Sequence, residues 1–426
     1  MNFRIWEDDL REFVDTCCSF ETTAGNEKRA QVWLREELEA AGFRTYTWEA
    51  NSAVLAEHPS FPDDPDDIEV ADRPSVAGVL EFGNPDAGPT LVLNGHVDVV
   101  PTGSGWEGNP FEPRWRDGRL TARGAADMKS GLGACVFAAR HLAEGSADGN
   151  LGHDSDLDGR IVVESVVGEE EGGIGAAAAA LESPYPFERD AAIVAEPTEL
   201  RPVTAVEGSL MVRIGLEGRS AHAATRWRGA SVLPAFERVR EELEAFERDR
   251  SETVLHPLYD EFPIPWPICI GRVEAGRWAS SVPDELTAEV RVGVAPGETV
   301  TDVEHALRSR LESLLDEPSW TAGVSGPTIE RFSVQFEPAE IAADEPVVSA
   351  LQDGMAACGF DAEAAEPRGA TYGADNRHYV EAGIPTVLFG PGSIDQAHFP
   401  EETIEWDEVL EAGAVVAETA RTYLSQ

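Results

Sequence analysis

Strands that alternate with helices along most of the chain predict an α/β fold with a mainly parallel, helix-covered sheet. Short apolar runs bounded by glycine and proline indicate buried strands, and segments of helical periodicity lie between them. The middle of the chain has a different pattern, with long charged helices and alternating strands. We therefore expect an α/β domain built from residues 1–205 and 338–426, with an inserted α+β domain at 206–337. A chain of 426 residues is long enough for two cores.

The first part of the chain supplies most of the predicted sheet. Ala30, Leu34 and Leu38 recur at helical spacing, and Gly42 ends that helix. The elements predicted after it are strands at 76–82, 90–93, 161–167 and 191–195, helices that begin near Lys129 and Gly175, and an acidic, glycine-rich loop at 145–159.

The inserted segment and the last part of the chain follow the same reasoning. The elements predicted in the insert are strands at 210–216, 268–273 and 286–294 and helices at 228–248 and 300–315. A helix at 347–358 and a strand at 384–389 return the chain to the first domain.

The charge of the chain excludes several classes of partner. Aspartate and glutamate number 79 against 33 lysines and arginines, a net charge of −46, and only Lys28 and Lys129 are lysines. Such a field repels nucleic acids and anionic membranes. Acidic residues spread along a chain nearly free of lysine resemble the proteins of salt-loving organisms, so we expect low salt to destabilise the fold.

The cysteines and the apolar runs indicate a cytoplasmic protein. The five cysteines form no C-x-x-C pair, and we expect buried, reduced thiols. No apolar run approaches the roughly 20 residues that span a bilayer. The first residues carry acids early and have no signal-peptide character.

Polar residues with metal-binding chemistry follow the predicted strands. LVLNGHVDVVP puts His96 and Asp98 at a strand end, where parallel sheets bind ligands. The H-x-D pair suits a metal-bound imidazole with a carboxylate behind it, although a structural histidine fits equally well. In RGAADMKSG, Asp127 lies between a glycine-rich turn and a helix, where a helix N-cap is the simpler interpretation.

Further acidic residues lie in equivalent places. IVVESVVGEEEGGIG ends a strand in Glu169, Glu170 and Glu171, whose carboxylates repel one another, so we expect them to face a cavity that contains a cation. AAIVAEPT ends another strand in Glu196, which fits a ligand or an ordinary strand-end carboxylate.

Only three of the nine histidines have a glycine-flanked context with few competing explanations: His96, His222 and His398, the last in GPGSIDQAHFPEE. The histidines interpreted as non-ligands are His58, His141, His153, His256, His305 and His378.

The segments GHVD, GAADMKSG, GEEEGG, AEPT and QAH, in this order, resemble the zinc peptidase and deacylase family of acetylornithine deacetylase, succinyl-diaminopimelate desuccinylase, aminoacylase and bacterial glutamate carboxypeptidase. The resemblance extends over essentially the whole chain. It implies a zinc-exopeptidase-like catalytic domain and an insert that acts as lid and dimerisation domain.

The resemblance also implies a site for two divalent metal ions, expected to be zinc, with cobalt or manganese as alternatives. His96 and Glu196 would bind one ion, Glu170 and His398 the other, and Asp127 would bridge them. Three carboxylates would leave two divalent ions with a net positive charge, enough to acidify a water molecule between them.

Three further residues receive roles from the same resemblance. Glu169 would be the general base and Asp98 would orient His96, while Glu171 falls at a variable position. His222 would reach the active site from the insert, often that of the partner subunit, so a homodimer and a closing motion are implied. Its alternative is a turn histidine that packs on Trp227.

The chain departs from the family where substrate carboxylates are often bound. Glu207 replaces a common basic residue, Ser281 replaces an asparagine, and Arg291 stands where D-x-R is frequent. Arg377 or Arg291 are our candidates for binding a substrate carboxylate. Arg377 could equally be an exposed helix residue in ion pairs.

We expect a metal-dependent amidohydrolase that acts on an N-acyl amino acid, of the acetylornithine deacetylase or succinyl-diaminopimelate desuccinylase type. A di- or carboxypeptidase is the alternative within hydrolases. A non-catalytic metal-binding homologue would have lost the base, yet Glu169 is present. A metal-dependent nuclease conflicts with the net charge.

Overall fold

The computed structural model describes residues 2–147, 157–317 and 320–425. Its strands are β1 (Arg44–Trp48), β2 (Ser75–Phe82), β3 (Thr90–His96), β4 (Arg114–Arg116), β5 (Arg119–Thr121), β6 (Gly159–Val166), β7 (Ala191–Val194), β8 (Val203–Val206), β9 (Gly208–Glu217), β10 (Ile268–Ala275), β11 (Glu285–Val294), β12 (Thr328–Arg331), β13 (Ala339–Glu340), β14 (Arg368–Ala370), β15 (Thr386–Leu388) and β16 (Thr403–Glu405). Its α-helices are α1 (Glu7–Ser19), α2 (Lys28–Ala40), α3 (Ser52–Leu55), α4 (Ser130–Ala147), α5 (Ile174–Leu181), α6 (Leu233–Thr253), α7 (Val300–Ser313), α8 (Pro346–Cys358), α9 (Asn376–Glu381) and α10 (Trp406–Leu424).

The main sheet has nine strands in the order β1-β2-β6-β3-β7-β15-β8-β13, and β14 also pairs with β8. Its central strands β6, β3, β7 and β15 run parallel. Strands β1 and β2 are antiparallel to their neighbours, and β8 is antiparallel to β15 and β13 but parallel to β14. His96 pairs with Val166, and Val194 with Leu388, so the carboxyl ends of the central strands lie together. The predicted α/β fold with a largely parallel central sheet is confirmed.

Apolar residues on both faces explain why the central strands are buried. Ile161 and Val163 of β6 join the large core that contains α1, α2, α4, α8 and α10. Val162 and Val166 point to the opposite face, where residues of α5 and α9 cover the sheet. A strand covered by helices on both sides tends to have a continuous apolar run, and residues 161–163 of β6 form such a run.

A second sheet, β10-β11-β9-β12, is antiparallel and carries α6 and α7. In β9, Leu210, Val212, Ile214 and Leu216 alternate inward and form its core with residues of both helices. The edge strand β10 is mostly exposed, and so is the side chain of Cys269. Our expectation of buried thiols is therefore wrong for Cys269, because its face of β10 is uncovered, and Cys358 is only half-buried.

Some elements differ from the prediction. The helix expected at 228–248 begins at Leu233, because Ala223–Arg228 forms a separate 3₁₀ helix before it. Helix α10 and a small sheet in the order β16-β5-β4 were not predicted. Residues 148–156 of the predicted acidic loop, with His153, lie outside the described residues. No helix in the described part of the chain is long and apolar enough to cross a membrane.

Candidate active site

The predicted metal ligands lie at the edge where the central parallel strands end. His96 is the last residue of β3, and Glu170 and Glu196 follow β6 and β7. His398 follows β15, and Asp127 comes from the segment just before α4. Because β6, β3, β7 and β15 are neighbours, their carboxyl ends bring these side chains to one place.

The five side chains form two groups that share one residue. Ligand atoms of His96, Asp127 and Glu196 all lie within 4.8 Å of one another, and so do those of Asp127, Glu170 and His398. His96 Nε2 is 3.1 Å from Asp127 Oδ1, and His398 Nε2 is 3.6 Å from Asp127 Oδ2. Asp127 therefore directs one carboxylate oxygen toward each histidine.

Asp98 connects the two groups. Nδ1 of His96 donates a hydrogen bond to the main-chain oxygen of Asp98 at 2.9 Å, which leaves Nε2 facing Asp127. The Asp98 carboxylate lies 3.8 Å from the ring and accepts the main-chain N–H groups of Glu169 at 3.3 Å and Glu170 at 3.1 Å. The main chain of Asp98 thus holds the ring, and its side chain holds the glutamate loop.

The glutamate loop is fixed beyond those two residues. Glu171 pairs with Arg73 at 2.5 Å, and Arg73 also binds the fully buried Glu27. The main-chain oxygen of Gly172 accepts from the Arg377 guanidinium at 2.6 Å and from the His378 ring at 3.0 Å. These bonds direct Glu171 to a salt bridge, while Glu170 contacts His398.

The electrostatics of the site result from carboxylates packed together out of water. Burial and the neighbouring carboxylates raise the pKa of Glu169 and that of Glu196 well above the usual value, and burial also raises the pKa of Glu170. Burial would lower the pKa of His96, but Asp127 and Asp98 raise it well above normal. The hydrogen bond with Glu170 raises the pKa of His398.

This donor set fits divalent cations. Imidazole and carboxylate ligands suit zinc, cobalt and manganese, and cations stabilise the ionised form of clustered carboxylates. His398 keeps 55% of its side chain exposed, whereas Glu196 is 5% exposed, so one group of ligands is open to solvent and the other is enclosed.

Sequence reasoning missed two buried acids near the site. Both oxygens of Asp375 lack hydrogen-bond partners among the described residues, burial raises its pKa to about 7, and its charge helps to raise the pKa of Glu169. Glu402 is fully buried and binds the main chain around Asp127. In the sequence, Glu402 is notable only because it follows His398 by four residues, and that spacing by itself does not predict a contact with Asp127.

The other predicted site residues lie outside the two groups of ligands. His222 is exposed in the insert, where its Nδ1 accepts the N–H of Ala224 at 3.0 Å. The Arg291 guanidinium donates to Glu207 at 2.9 Å and to the oxygen of Thr371 at 3.4 Å.

Arg377 is 3% exposed, so the alternative of an exposed helix residue is wrong. Besides Gly172, its guanidinium binds the oxygen of Ala374 at 3.1 Å and lies 3.9 Å from the ring centre of Phe336. These contacts hold the guanidinium against the main chain.

His58, His378 and Glu381 form a third group with suitable spacing for a metal. Ser60 donates its N–H to Nδ1 of His58, which leaves the proton on Nε2, and Nε2 bonds to Glu381 at 2.9 Å. This arrangement fits a hydrogen-bonded pair better than a metal site.

Comparisons with known proteins agree with this geometry. The family model of peptidase family M20/M25/M40 matches residues 92–422 of the chain. The chain is 25% identical over 442 residues to the N-formyl-4-amino-5-aminomethyl-2-methylpyrimidine deformylase of Bacillus subtilis (strain 168), covering 99% of this chain and 96% of that protein. It is 29% identical over 388 residues to the acetylornithine deacetylase of Myxococcus xanthus, covering 90% and 89%.

A solved structure shows the same fold. The YXEP protein of Bacillus subtilis, described as a dinuclear metal binding peptidase from the M20 family, superimposes with a TM-score of 0.64 at 15% identity over 98% of each chain. From the family match and these relatives, the protein is a hydrolase of amide bonds, and the chain belongs to peptidase family M20/M25/M40.

Proposed function

We propose that the protein is a two-metal hydrolase that cleaves the amide bond of a small N-acyl amine, in the first place an N-acyl amino acid of the acetylornithine or succinyl-diaminopimelate type. The observation that carries this proposal is the position of Asp127, which belongs to both groups of ligands. A carboxylate shared between two groups of two ligands can hold a pair of cations close together.

His96 and Glu196 would hold one ion, Glu170 and His398 the other, with Asp127 between them. Bound divalent ions, which we propose to be zinc, supply Lewis acidity that acidifies water and polarises the scissile carbonyl.

Glu169 is the proposed general base. It is 8% exposed, and Asp98 holds its main-chain N–H. Its carboxylate would accept a proton from the attacking water and return it to the leaving nitrogen. A carboxyl whose pKa is raised by burial and by Asp375 holds that proton more firmly than an exposed one, which suits a group that carries it between two atoms.

The contacts of the two arginines proposed to bind a substrate carboxylate favour a second candidate substrate. The guanidinium groups of Arg291 and Arg377 already bind Glu207, Thr371, Gly172 and Ala374, so binding a substrate carboxylate would have to compete with these contacts. A formamide of an amine without an acid group, as in the name of the deformylase relatives, needs no such arginine. A di- or carboxypeptidase is the third candidate within the family, and a non-catalytic metal-binding homologue lies outside it.

We further propose that residues 206–337 act as a lid and join two subunits. Trp227, five residues after His222, is 76% exposed, and Trp278 is 72% exposed just before Ser281, which pairs with His222. Large exposed aromatic side chains are typical of interfaces. In a dimer, His222 would donate a hydrogen bond to the oxyanion in the partner's site. The five unpaired cysteines support a cytoplasmic location.

A substrate panel tests the reaction. The purified protein, loaded with zinc, cobalt or manganese, would be given N-acetylornithine, N-succinyl-diaminopimelate, an N-formyl aminomethylpyrimidine and dipeptides. We expect amine release from one acyl class well above the others. Hydrolysis of dipeptides alone would replace the deacylase by a peptidase, and no hydrolysis with both metals bound would support the non-catalytic alternative.

Subunit mixing tests the role of His222. The variants His222→Ala and Glu169→Ala should each be nearly inactive. After subunit exchange at equal concentrations, half of the dimers are mixed and each has one complete site, so about a quarter of wild-type activity should return. Absence of recovery in a proven mixed dimer would contradict a contribution from the partner subunit.

A further inference from the structure

Glu402 is a carboxylate with no access to solvent and four N–H partners. Its Oε1 accepts the main-chain N–H of Ala126 at 2.8 Å and of Asp127 at 3.0 Å, and its Oε2 accepts that of Gly124 at 3.1 Å. The Arg123 guanidinium binds the same Oε2 at 2.8 Å. Both oxygens are therefore used to hold the segment that presents Asp127 to the ligand groups.

The same ion pair reaches the other side of the site. Besides Glu402, the Arg123 guanidinium approaches the main-chain oxygens of His398 and Phe399, each at 3.4 Å. His398 has a φ of +63°, in the left-handed region that only some residues adopt readily, so its backbone needs support from its surroundings. Arg123 and Glu402 thus connect the backbone of His398 to that of Asp127.

We propose that Glu402 is a positioning residue that, through Arg123, sets the distance between Asp127 and His398 and so the affinity for the metal held by Glu170 and His398. This inference rests on the proposed two-metal function. Partners of this kind that hold metal ligands typically change metal affinity by roughly 10–100-fold when they are removed. The His96–Glu196 ion would be less affected, because Glu402 supports only one of its three ligands.

An isosteric amide at position 402 should not hold this segment as the carboxylate does. Glutamine retains one accepting oxygen, but its NH₂ group would face two of the four N–H donors. Two donors would then face a donor, and their hydrogen bonds would be lost. The expected result for Glu402→Gln is a folded protein in which the metal held by Glu170 and His398 dissociates at least about tenfold more readily.

The experiment uses the full-length protein and zinc alone. Wild type, Glu402→Gln, Arg123→Lys and the control Glu405→Gln would be dialysed against buffered free zinc, and bound metal would be counted by mass spectrometry. Glu405 forms an exposed ion pair with Arg119 in the same region, so its variant removes the same charge without touching the loop. We expect two zinc ions in the wild type and the control, and early loss of one ion in the other two variants.

Two further readouts separate positioning from general stability. The absorption spectrum of the cobalt-loaded variants should lose the contribution of one ion, and excess metal should restore kcat in Glu402→Gln because all five ligands remain. Two ions bound with wild-type affinity in both Glu402→Gln and Arg123→Lys would overturn the inference. Fewer than two ions in the wild type would instead overturn the proposed function. If Glu402→Gln does not fold, Arg123→Lys alone decides, because it leaves the three main-chain bonds of Glu402 intact.

Discussion

The carboxylate of Asp98 accepts the main-chain N–H of Glu170 at 3.1 Å, although the two residues belong to loops after different strands. The main-chain oxygen of Asp98 meanwhile holds the His96 ring. One residue after β3 therefore orients a ligand in each of the two groups. We conclude that the two proposed metal positions are linked by more than the shared Asp127.

Replacing the proposed base should abolish turnover and spare the metals. In Glu169→Gln the amide cannot accept a proton from water, and general bases contribute about 10²–10⁴-fold to the rate. We expect kcat to fall by this factor with two metal ions still bound. Glu171→Gln is the matched control because Glu171 pairs with Arg73. A loss of kcat in Glu171→Gln as large as in Glu169→Gln would show that the register of the three glutamates is wrong.

Removing the metals should remove the activity reversibly. A chelator should abolish amide hydrolysis, and zinc, cobalt or manganese should restore it, because the five ligands remain in place. His398→Ala should bind one metal ion fewer at equal free zinc, since the imidazole is one of three ligands in its group. Hydrolysis that continues in the fully metal-free protein would contradict a metal mechanism.

The stability of the protein should fall as pH rises from about 5 to 8. Burial raises the pKa of Glu207 to about 8, so the folded protein keeps a proton that the unfolded chain releases near its ordinary pKa. Between these two values each pH unit costs roughly 1.4 kcal/mol of unfolding free energy. Glu207→Gln should flatten this part of the profile in urea unfolding, whereas the exposed Glu285→Gln should not. Identical profiles for wild type and Glu207→Gln would refute the assignment.

Salt should stabilise the fold. The net charge of −46 repels itself, and added salt shortens the screening length from about 10 Å at 0.1 M to about 3 Å at 1 M. We expect the Tm to rise with KCl and most of the gain to occur below about 1 M. A Tm that is flat over this range would contradict the proposed adaptation to high salt. A rise in Tm that begins only at several molar KCl would instead indicate exclusion of salt from the protein surface.

The central elements could be predicted because their own residues carry the pattern. Helix α2 has its apolar residues at helical spacing and ends two residues before the predicted stop at Gly42. Strand β6 lies within two residues of the strand predicted at 161–167, because Ile161, Val162 and Val163 form an apolar run. The start of α6 was displaced by five residues, because the neighbouring 3₁₀ helix at Ala223–Arg228 has a similar composition.

The geometry of the site was less accessible to sequence reasoning. His96 and Asp98 could be assigned a place because they follow a strand. Glu402 could not, since its partner Asp127 lies 275 residues away in the sequence and the bond depends on the tertiary fold. The burial of Arg377 was equally hidden, because its contacts with Gly172 and Phe336 come from distant segments.

The small sheet β16-β5-β4 joins residues 114–121 to residues 403–405, and β16 contacts the segment 125–129 that carries Asp127. During synthesis, Asp127 leaves the ribosome long before His398, with the whole insert between them. A nascent chain that already presents His96, Asp127 and Glu196 can offer one set of ligands but not the other. Under the proposed two-metal function, loading with both metals, and with it catalysis, would therefore wait until the chain has been made at least as far as His398, and the support from Glu402 would follow four residues later.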